Sequence, residues 1–341
     1  MKVDARLPQG LPPAAVARAA RDFEDAGYDG LWTRESSHDP FVPLGIAAEH
    51  TASLRLGTSI AVAFARSPMN LAYLGNDLAF YSGGRFALGL GSQVRAHVER
   101  RYSMPWSAPA RRMAELVSAI REIWRCWETG ARLSFEGDFY RHTLMTPAFT
   151  PEPHPHGPPP ILLAAVGERM TEVAGEVADG LLVHGFTTPR YLREVTLPTL
   201  ERGLAASGRA RTAVEVSAPV LLATGATEEA MAESVHAVRK QIAFYGSTPA
   251  YRPVLERHGW GELAGELHRL SRARQWDAMT ALVDDDVLHA FAVVAEPERT
   301  AAEVMRRMDG LADRISFYTV ADTDPAVPAL AARALAAGPG L

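Results

Sequence analysis

The chain has 341 residues, 47% hydrophobic and 22% charged, with a formal net charge of −5. This balance is globular rather than disordered, and without a run of Lys or Arg interleaved with aromatics it argues against nucleic acid as a partner. A single cysteine, Cys126, excludes an intrachain disulfide and fits a reducing compartment; MKVDARLPQG lacks a signal-peptide core and no apolar stretch reaches the ~18 residues of a membrane span, so a soluble cytoplasmic protein is expected.

MKVDARL, residues 1–7, alternates as a short strand. PPAAVARAARDFEDAG then reads as a helix: its prolines suit a first turn, Val16, Ala20 and Phe23 share a face, and Gly27 supplies a stop. DGLWT is a second strand and PLGIAAEHTAS a second helix. The third strand, LRLGTSIAVAF over 54–64, carries Leu54, Leu56, Ile60, Val62 and Phe64, as a sheet interior requires, but Gly57, Thr58 and Ser59 interrupt it. PMNLAYLGNDLAFYS is helical and GGRFALGLGS a turn and fourth strand. PARRMAELVSAIREIWRCWETG is a long helix in which Leu116, Ile120, Ile123, Trp124 and Trp127 form a buried stripe, and Cys126 is packing. LSFEGDFYRH reads as a hairpin turning at Glu136–Gly137, before a proline-rich loop. The alternation resumes with strands ILLAAVG, DGLLVHGF, AVEVSAPVLLATG and DRISFYTVA. Helices ERMTEVAGEVA, YLREVTLPTLERGLAASG, TEEAMAESVHAVRKQIAFYG and PERTAAEVMRRMDGLA separate them, and 249–295 is mixed helical.

Eight strands alternating with helices predict a (β/α)8 TIM barrel of the α/β class, a fold that takes roughly 250 residues. The surplus is expected in loop insertions around 132–158 and 246–295 of one domain spanning 1–341. The proline loop as a domain boundary is the alternative, but each half has only four strands and neither looks closed. An open doubly wound sheet is the structural rival, and no GxGxxG follows the first strand.

In such a barrel the site lies at the C-terminal strand ends. Small and polar residues gather there: TRESSHD at 33–39, Thr58-Ser59-Ile60-Ala61, Gly91-Ser92-Gln93-Val94, Ala165-Val166-Gly167-Glu168-Arg169-Met170, and His184-Gly185. Gly167 passes a strand straight into a helix whose first amides attract a phosphate; a plain tight turn, with Glu168 suiting the dipole, is the other reading. The glycine and hydroxyls at 57–59 make either a kink against a flat ring or packing with the hydroxyls bonded to carbonyls. His38 with Glu35 is suited to acid–base chemistry, as is His184 facing substrate; an exposed loop pair and a bonded structural histidine are the alternatives. His154 and His156 read as loop residues, no metal site is completed, and His97 with Arg95, Arg100 and Arg101 reads as a solvated helix face. Tyr251, Arg252 and Trp260 are candidate substrate contacts in the 248–270 segment.

Together AGYDGLWTRE, LRLGTSIAVAF, SGGRFALGLGS, FEGDFYRH, PPPILLAAVGERM and AGEVADGLLV resemble the bacterial luciferase-like superfamily, in its branch using the deazaflavin coenzyme F420. The resemblance spans nearly the whole chain and is nearest to actinobacterial F420-dependent oxidoreductases. It implies the barrel with a late insertion, a non-proline cis peptide at Ser59–Ile60 against the deazaflavin, and the coenzyme phosphate at Gly167 to Met170. It also implies cofactor contacts at Thr58 to Ala61, Gly91, Ser92, Gln93, Ala165 and Val166. Two departures matter. Glu35 matches the family's acid after strand two, but Ser36 follows where histidine is usual and His38 arrives later. The sugar-phosphate dehydrogenases of the family place a glutamate after strand four, and here that place falls near Val94. The resemblance implies hydride transfer between F420 and an alcohol, enone or imine. The alternatives are a monooxygenase taking reduced FMN from a separate reductase, and a non-catalytic cofactor-binding protein. A homo-oligomer, by default a dimer, is expected.

Overall fold

The computed structural model describes residues 1–320 and 326–337. The strands are β1 (Lys2–Arg6), β2 (Gly30–Thr33), β3 (Arg55–Thr58), β4 (Phe86–Gly91), β5 (Ile161–Ala165), β6 (Gly180–Val183), β7 (Glu215–Ala223) and β8 (Arg314–Thr319). They pair in chain order, all parallel, and β8 returns to β1 through Lys2–Arg314, Val3–Ile315 and Asp4–Ser316. That closure makes the eight-stranded barrel and disposes of the open sheet. Ala61–Val62 resumes the line of β3 beside β4, and Ala292–Val294 adds to the C-terminal part of β7 at Leu221–Ala223.

The helices are α1 (Pro13–Asp25), α2 (Val42–His50), α3 (Pro68–Tyr81), α4 (Pro109–Thr129), α5 (Glu168–Val177), α6 (Leu197–Ala206), α7 (Glu228–Gly246), α8 (Pro297–Met308) and α9 (Ala326–Ala337). Their starts follow from local chemistry. Proline occupies the first turn of α1, α3 and α4, where the missing N–H costs no bond. The side chains of Ser67 and Thr227 accept the amides of Asn70 and Ala230. The helix expected at 191–208 forms in pieces, a π-helical stretch at Leu192–Thr196 leading into α6, with Pro198 just past the join. The hairpin is Phe135–Glu136 against Arg141–His142, so its loop is Gly137–Tyr140, centred two residues later than the expected turn at Glu136–Gly137. Residues 252–291 form four short helices, and α9, which the sequence reading did not reach, follows β8. Among the described residues no helix is long and apolar enough to cross a membrane.

Alternation along the strands sorts side chains into two sets. Val3, Ala5, Leu56, Leu88, Leu163, Ile315 and Phe317 join the core under the helices. The other set fills the barrel in layers. At the N-terminal end Arg314 grips Asp4, with Nε 2.8 Å from Oδ2 and both side chains 1% exposed, and Arg55 pairs with Glu215 at 2.6 Å. Above lies an apolar layer of Trp32, Ala87, Leu162 and Leu182. Gly57 is required there, because a Cβ would fall 2.3 Å from the Trp32 ring.

Candidate functional site

Where the apolar layer ends, β3 breaks. Its pairing with β4 runs Leu56–Phe86 and Gly57–Ala87, then resumes at Ala61–Leu90 and Val62–Gly91. Four steps along one chain match three along the other, so one residue is extra, as in a β-bulge. The Ser59–Ile60 peptide within it is cis, as the resemblance implies. The Thr58 hydroxyl takes over the lost ladder: it donates to the Gly89 carbonyl at 2.6 Å and accepts the Gly89 amide at 3.0 Å. On the other side the Ser59 amide donates to Thr33 O (2.6 Å) and the Glu35 amide to Ile60 O (3.0 Å).

The extra residue reverses the alternation beyond it. Ile60 turns to the barrel axis and packs with Ala164 on the Trp32–Leu182 layer. Gly91 leaves room for it, since a Cβ there would lie 2.9 Å from Ile60 Cδ1. Ile60 and Ala164 thus form an apolar floor under the barrel mouth. Thr58 and Ala61 are fully buried, the first bonded to Gly89 and the second in the helix-facing core. Both side chains are enclosed beneath the mouth rather than exposed in it. Ser92 and Gln93 stand half-buried after β4, with Gln93 at φ +60° and its side-chain oxygen accepting the Val94 amide.

Glu35 is expected as a proton carrier, but its carboxylate is saturated. It accepts from the Val62 amide, Arg66 Nη1 and the Tyr102 hydroxyl, each at 2.7 Å, with the side chain 7% exposed. The acid clamps the chain just past the break, with its carboxylate bonded to backbone, arginine and tyrosine. His38 is exposed and no hydrogen bond joins it to Glu35. It lines a cleft of about 460 Å³ between the loops after β1 and β2, with Leu11, Pro12 and Val42.

A cavity of about 310 Å³ opens on the other side of a seam made by Gln9, whose amide donates to Arg34 O at 2.8 Å. Arg6, Trp32, Arg34, Ser59 and Tyr318 are among its walls. The structure therefore places His38 and Ser59 in separate, adjoining spaces.

On the same barrel end, β5 runs through Ala165, buried, and Val166, 39% exposed, to Gly167 and α5. No side chain caps α5, and nothing lies within 4 Å of where a Gly167 Cβ would be. Glu168 could have served the dipole, yet its carboxylate is held by Arg202 at 2.8 Å, and Arg202 also binds Glu172 at 3.1 Å. Gly167, Glu168 and Arg169 are exposed and Met170 half-buried; the Met170 amide donates to Gly167 O at 3.2 Å, and the amides of Gly167 to Arg169 are left without a partner at the positive end of the helix.

His184 ends β6. The Phe186 amide donates to its Nδ1 at 3.0 Å, so the ring proton sits on Nε2, 3.1 Å from Tyr251 Oη. The ring stacks on Tyr251 at 4.5 Å and meets Tyr245 edge-on at 5.0 Å. Burial, with the Arg6 charge nearby, pushes the imidazole down to about 4, which makes it a neutral donor near pH 7. Both ring nitrogens are engaged within the protein, the bonded-histidine arrangement. Tyr251 is therefore in this cluster, whereas Arg252 makes a surface pair with Glu256 and Trp260 stacks on His258 away from the cavity walls. The sequence reading missed Arg6, Trp32 and Tyr318 as wall residues. The signal was present: Asp4 and Arg6 share one face of β1, and Ser316 and Tyr318 one face of β8.

Residues 1–314 match the family described as luciferase-like monooxygenase. A Mycobacterium tuberculosis protein named only as uncharacterized is 56% identical over 315 residues, 92% of each chain. The 5,10-methylenetetrahydromethanopterin reductase of Archaeoglobus fulgidus is 27% identical over 297 residues, 84% of this chain and 83% of its own. Among solved structures, the coenzyme F420 dependent tetrahydromethanopterin reductase of Methanopyrus kandleri superposes with a TM-score of 0.79 at 21% identity over 97% of both chains. Other relatives and neighbours are named as F420-dependent oxidoreductases and as monooxygenases.

Proposed function

Because the chain belongs to the luciferase-like monooxygenase family, we propose that it is an F420-dependent oxidoreductase acting on a small organic alcohol, enone or imine. The observation that carries this reading is the break in β3, which sets Ile60 as an apolar floor on the same barrel end as the uncapped start of α5. A flat ring needs such a floor, and a phosphate needs such amides. The residues therefore fit a ring-bearing, phosphate-bearing coenzyme.

When bound, the deazaflavin supplies a ring carbon that gives or accepts a hydride. The rest is the work of this chain. Ile60 and Ala164 would support the ring from below, and Ser59, Ser92 and Gln93 would meet its polar edge. The segment from Gly167 to Met170 would hold the phosphate through the amides of Gly167, Glu168 and Arg169, with Arg202 keeping the Glu168 carboxylate away from them. Ordering both partners in a walled pocket contributes the largest share of the rate. His184 would act by donating from Nε2 to the Tyr251 hydroxyl and orienting it, keeping its own proton, with solvent supplying the proton of the reaction. Glu35 would act through the backbone it clamps. The reading extends to a cytoplasmic enzyme, dimeric by default, with residues 132–158 and 246–295 as insertions in one barrel domain.

Titration of the purified protein with F420 and with FMN, followed by fluorescence, tests the reading. Micromolar binding of F420 and much weaker binding of FMN is the expected result. Tight FMN binding with oxygen consumption, and none of F420, would replace it with the two-component monooxygenase. Stoichiometric F420 without turnover on a broad alcohol and enone panel would leave a binding protein.

A further inference from the structure

Interior guanidinium groups in this protein have acceptors. Arg314 holds Asp4, Arg55 holds Glu215, Arg85 donates to three backbone carbonyls and Arg112 to Tyr140 Oη and Pro105 O. Arg6 is the exception. It ends β1, two residues beyond Asp4 on the axis-facing side, and burial lowers the pKa of its guanidinium from the usual value. No carboxylate, carbonyl or hydroxyl among the described residues accepts a hydrogen bond from it. Asp4, the nearest acid along the strand, is fully engaged by Arg314.

What does hold Arg6 is a ring. Its guanidinium lies over Tyr318 with Cζ 5.1 Å from the centroid, and the Tyr318 hydroxyl is in turn 2.9 Å from that of Tyr245. Contact with the ring holds the guanidinium at the cavity wall, and no acceptor among the described residues takes its N–H groups. Arg6 walls both the 310 Å³ cavity and a small pocket beneath it shared with Ser59, Leu182 and Ser316. A second cation, Arg34, lines the same cavity, tied only to Gln9 by its Nε at 3.3 Å. Asp4 also borders this cavity, but its carboxylate is held by Arg314, which leaves two arginines on the wall without an acid of their own. The Arg6 guanidinium is half-buried and opens on the cavity, so water meets its N–H groups until an acceptor on a ligand displaces it.

We infer that Arg6 is the recognition group for an anionic substituent of the substrate, a carboxylate bound through the guanidinium fork at the inner end of the cavity. This rests on the oxidoreductase reading for what is called substrate, and it narrows the class to organic acids carrying the reacting alcohol, enone or imine. Such a pair would fix the substrate's orientation over the floor, because a fork accepts a planar carboxylate in one geometry.

The test uses the full chain and two probes of equal size, benzoate and benzamide, by calorimetry at low salt, on wild type, Arg6→Gln and Arg6→Lys. Wild type is expected to prefer benzoate by about tenfold or more, in line with a charge-assisted hydrogen bond. Arg6→Gln should level the two probes and Arg6→Lys retain part of the preference. Equal affinities in wild type, which needs no variant to fold, would overturn the proposal; so would a preference that survives in both variants. A preference that survives while Arg6→Gln loses F420 affinity would also overturn it and assign the guanidinium to the cofactor. Failure of F420 to bind while benzoate discrimination persists would sink the cofactor reading alone.

Discussion

Replacing Thr58 by valine keeps the shape of the side chain and removes only the hydroxyl that stands in for the ladder between β3 and β4. In wild type that oxygen satisfies both the carbonyl (2.6 Å) and the amide (3.0 Å) of Gly89, at a position with 0% exposure. Valine leaves both backbone groups buried without partners, and each such group costs about 1–3 kcal/mol. Relaxation toward the cavity above recovers part of this, so a loss of about 3 kcal/mol is expected. At about 2.1 cal/mol/K per residue, 341 residues give an unfolding entropy of about 0.7 kcal/mol/K, which converts that loss to a fall in Tm of about 4 °C. Thr58→Ser is the control: it keeps the hydroxyl and loses one methyl, for about 1 kcal/mol. The two variants are compared with wild type by scanning calorimetry at one scan rate, with F420 affinity as a second readout. If Thr58→Val melts with wild type, or above Thr58→Ser, the hydroxyl is not holding the break and the account of β3 fails.

Three further outcomes follow from the same geometry. His184, with its pKa lowered to about 4, binds fewer protons folded than unfolded across the window from about 4 to 6.5; its contribution to stability is complete above about pH 6.5, is lost as pH falls toward 4, and amounts to about 3 kcal/mol at most. His184→Asn should therefore flatten the acid limb of urea midpoints measured between pH 4.5 and 7.5. Arg202→Ala frees Glu168 to occupy the start of α5 and compete with a phosphate there, so F420 affinity should weaken about two- to fivefold by fluorescence titration, in line with a dipole–charge interaction. Glu35→Gln removes the charge that Arg66 and Tyr102 bind and should cost about 1–3 kcal/mol in urea denaturation, while the kcat–pH profile keeps its wild-type limbs.

The barrel and the boundaries of its helices were legible because they rest on local chemistry: alternation in eight short runs, proline in first turns, hydroxyls at caps. The hairpin turn was misplaced by two residues because Gly137 closes a four-residue loop onto Tyr140 rather than sitting inside a two-residue turn. The site was legible in part. Gly167 to Met170 stand where a strand-to-helix junction puts them, and the resemblance supplied the cis peptide. What the residues could not reveal is direction. An unbroken strand would turn Ile60 toward the helices and Ala61 toward the axis, and one extra residue exchanges them. Nor did Glu35 beside Ser36 announce that its carboxylate would be consumed by Val62, Arg66 and Tyr102, the last of these 67 residues away.

The layering of the barrel explains why Arg6 and Arg314, both interior arginines, have opposite fates. The N-terminal end is closed, so a charge there must find its partner within the chain, and Asp4 and Glu215 meet Arg314 and Arg55. Trp32, Ala87, Leu162 and Leu182 then form an apolar plug across the axis that separates this ionic layer from the mouth. Above the plug the β3 break adds another apolar surface, Ile60, where an uninterrupted strand would have offered the Ser59 hydroxyl followed by Ala61. The nearby acids are already engaged: Glu35 is clamped to the outer side of the break, and Asp4, which borders the same cavity, is held by Arg314. An Arg6 on this level can be satisfied only by water or by what enters the cavity, and an apolar floor beneath it favours an occupant with one flat apolar face and one anionic end.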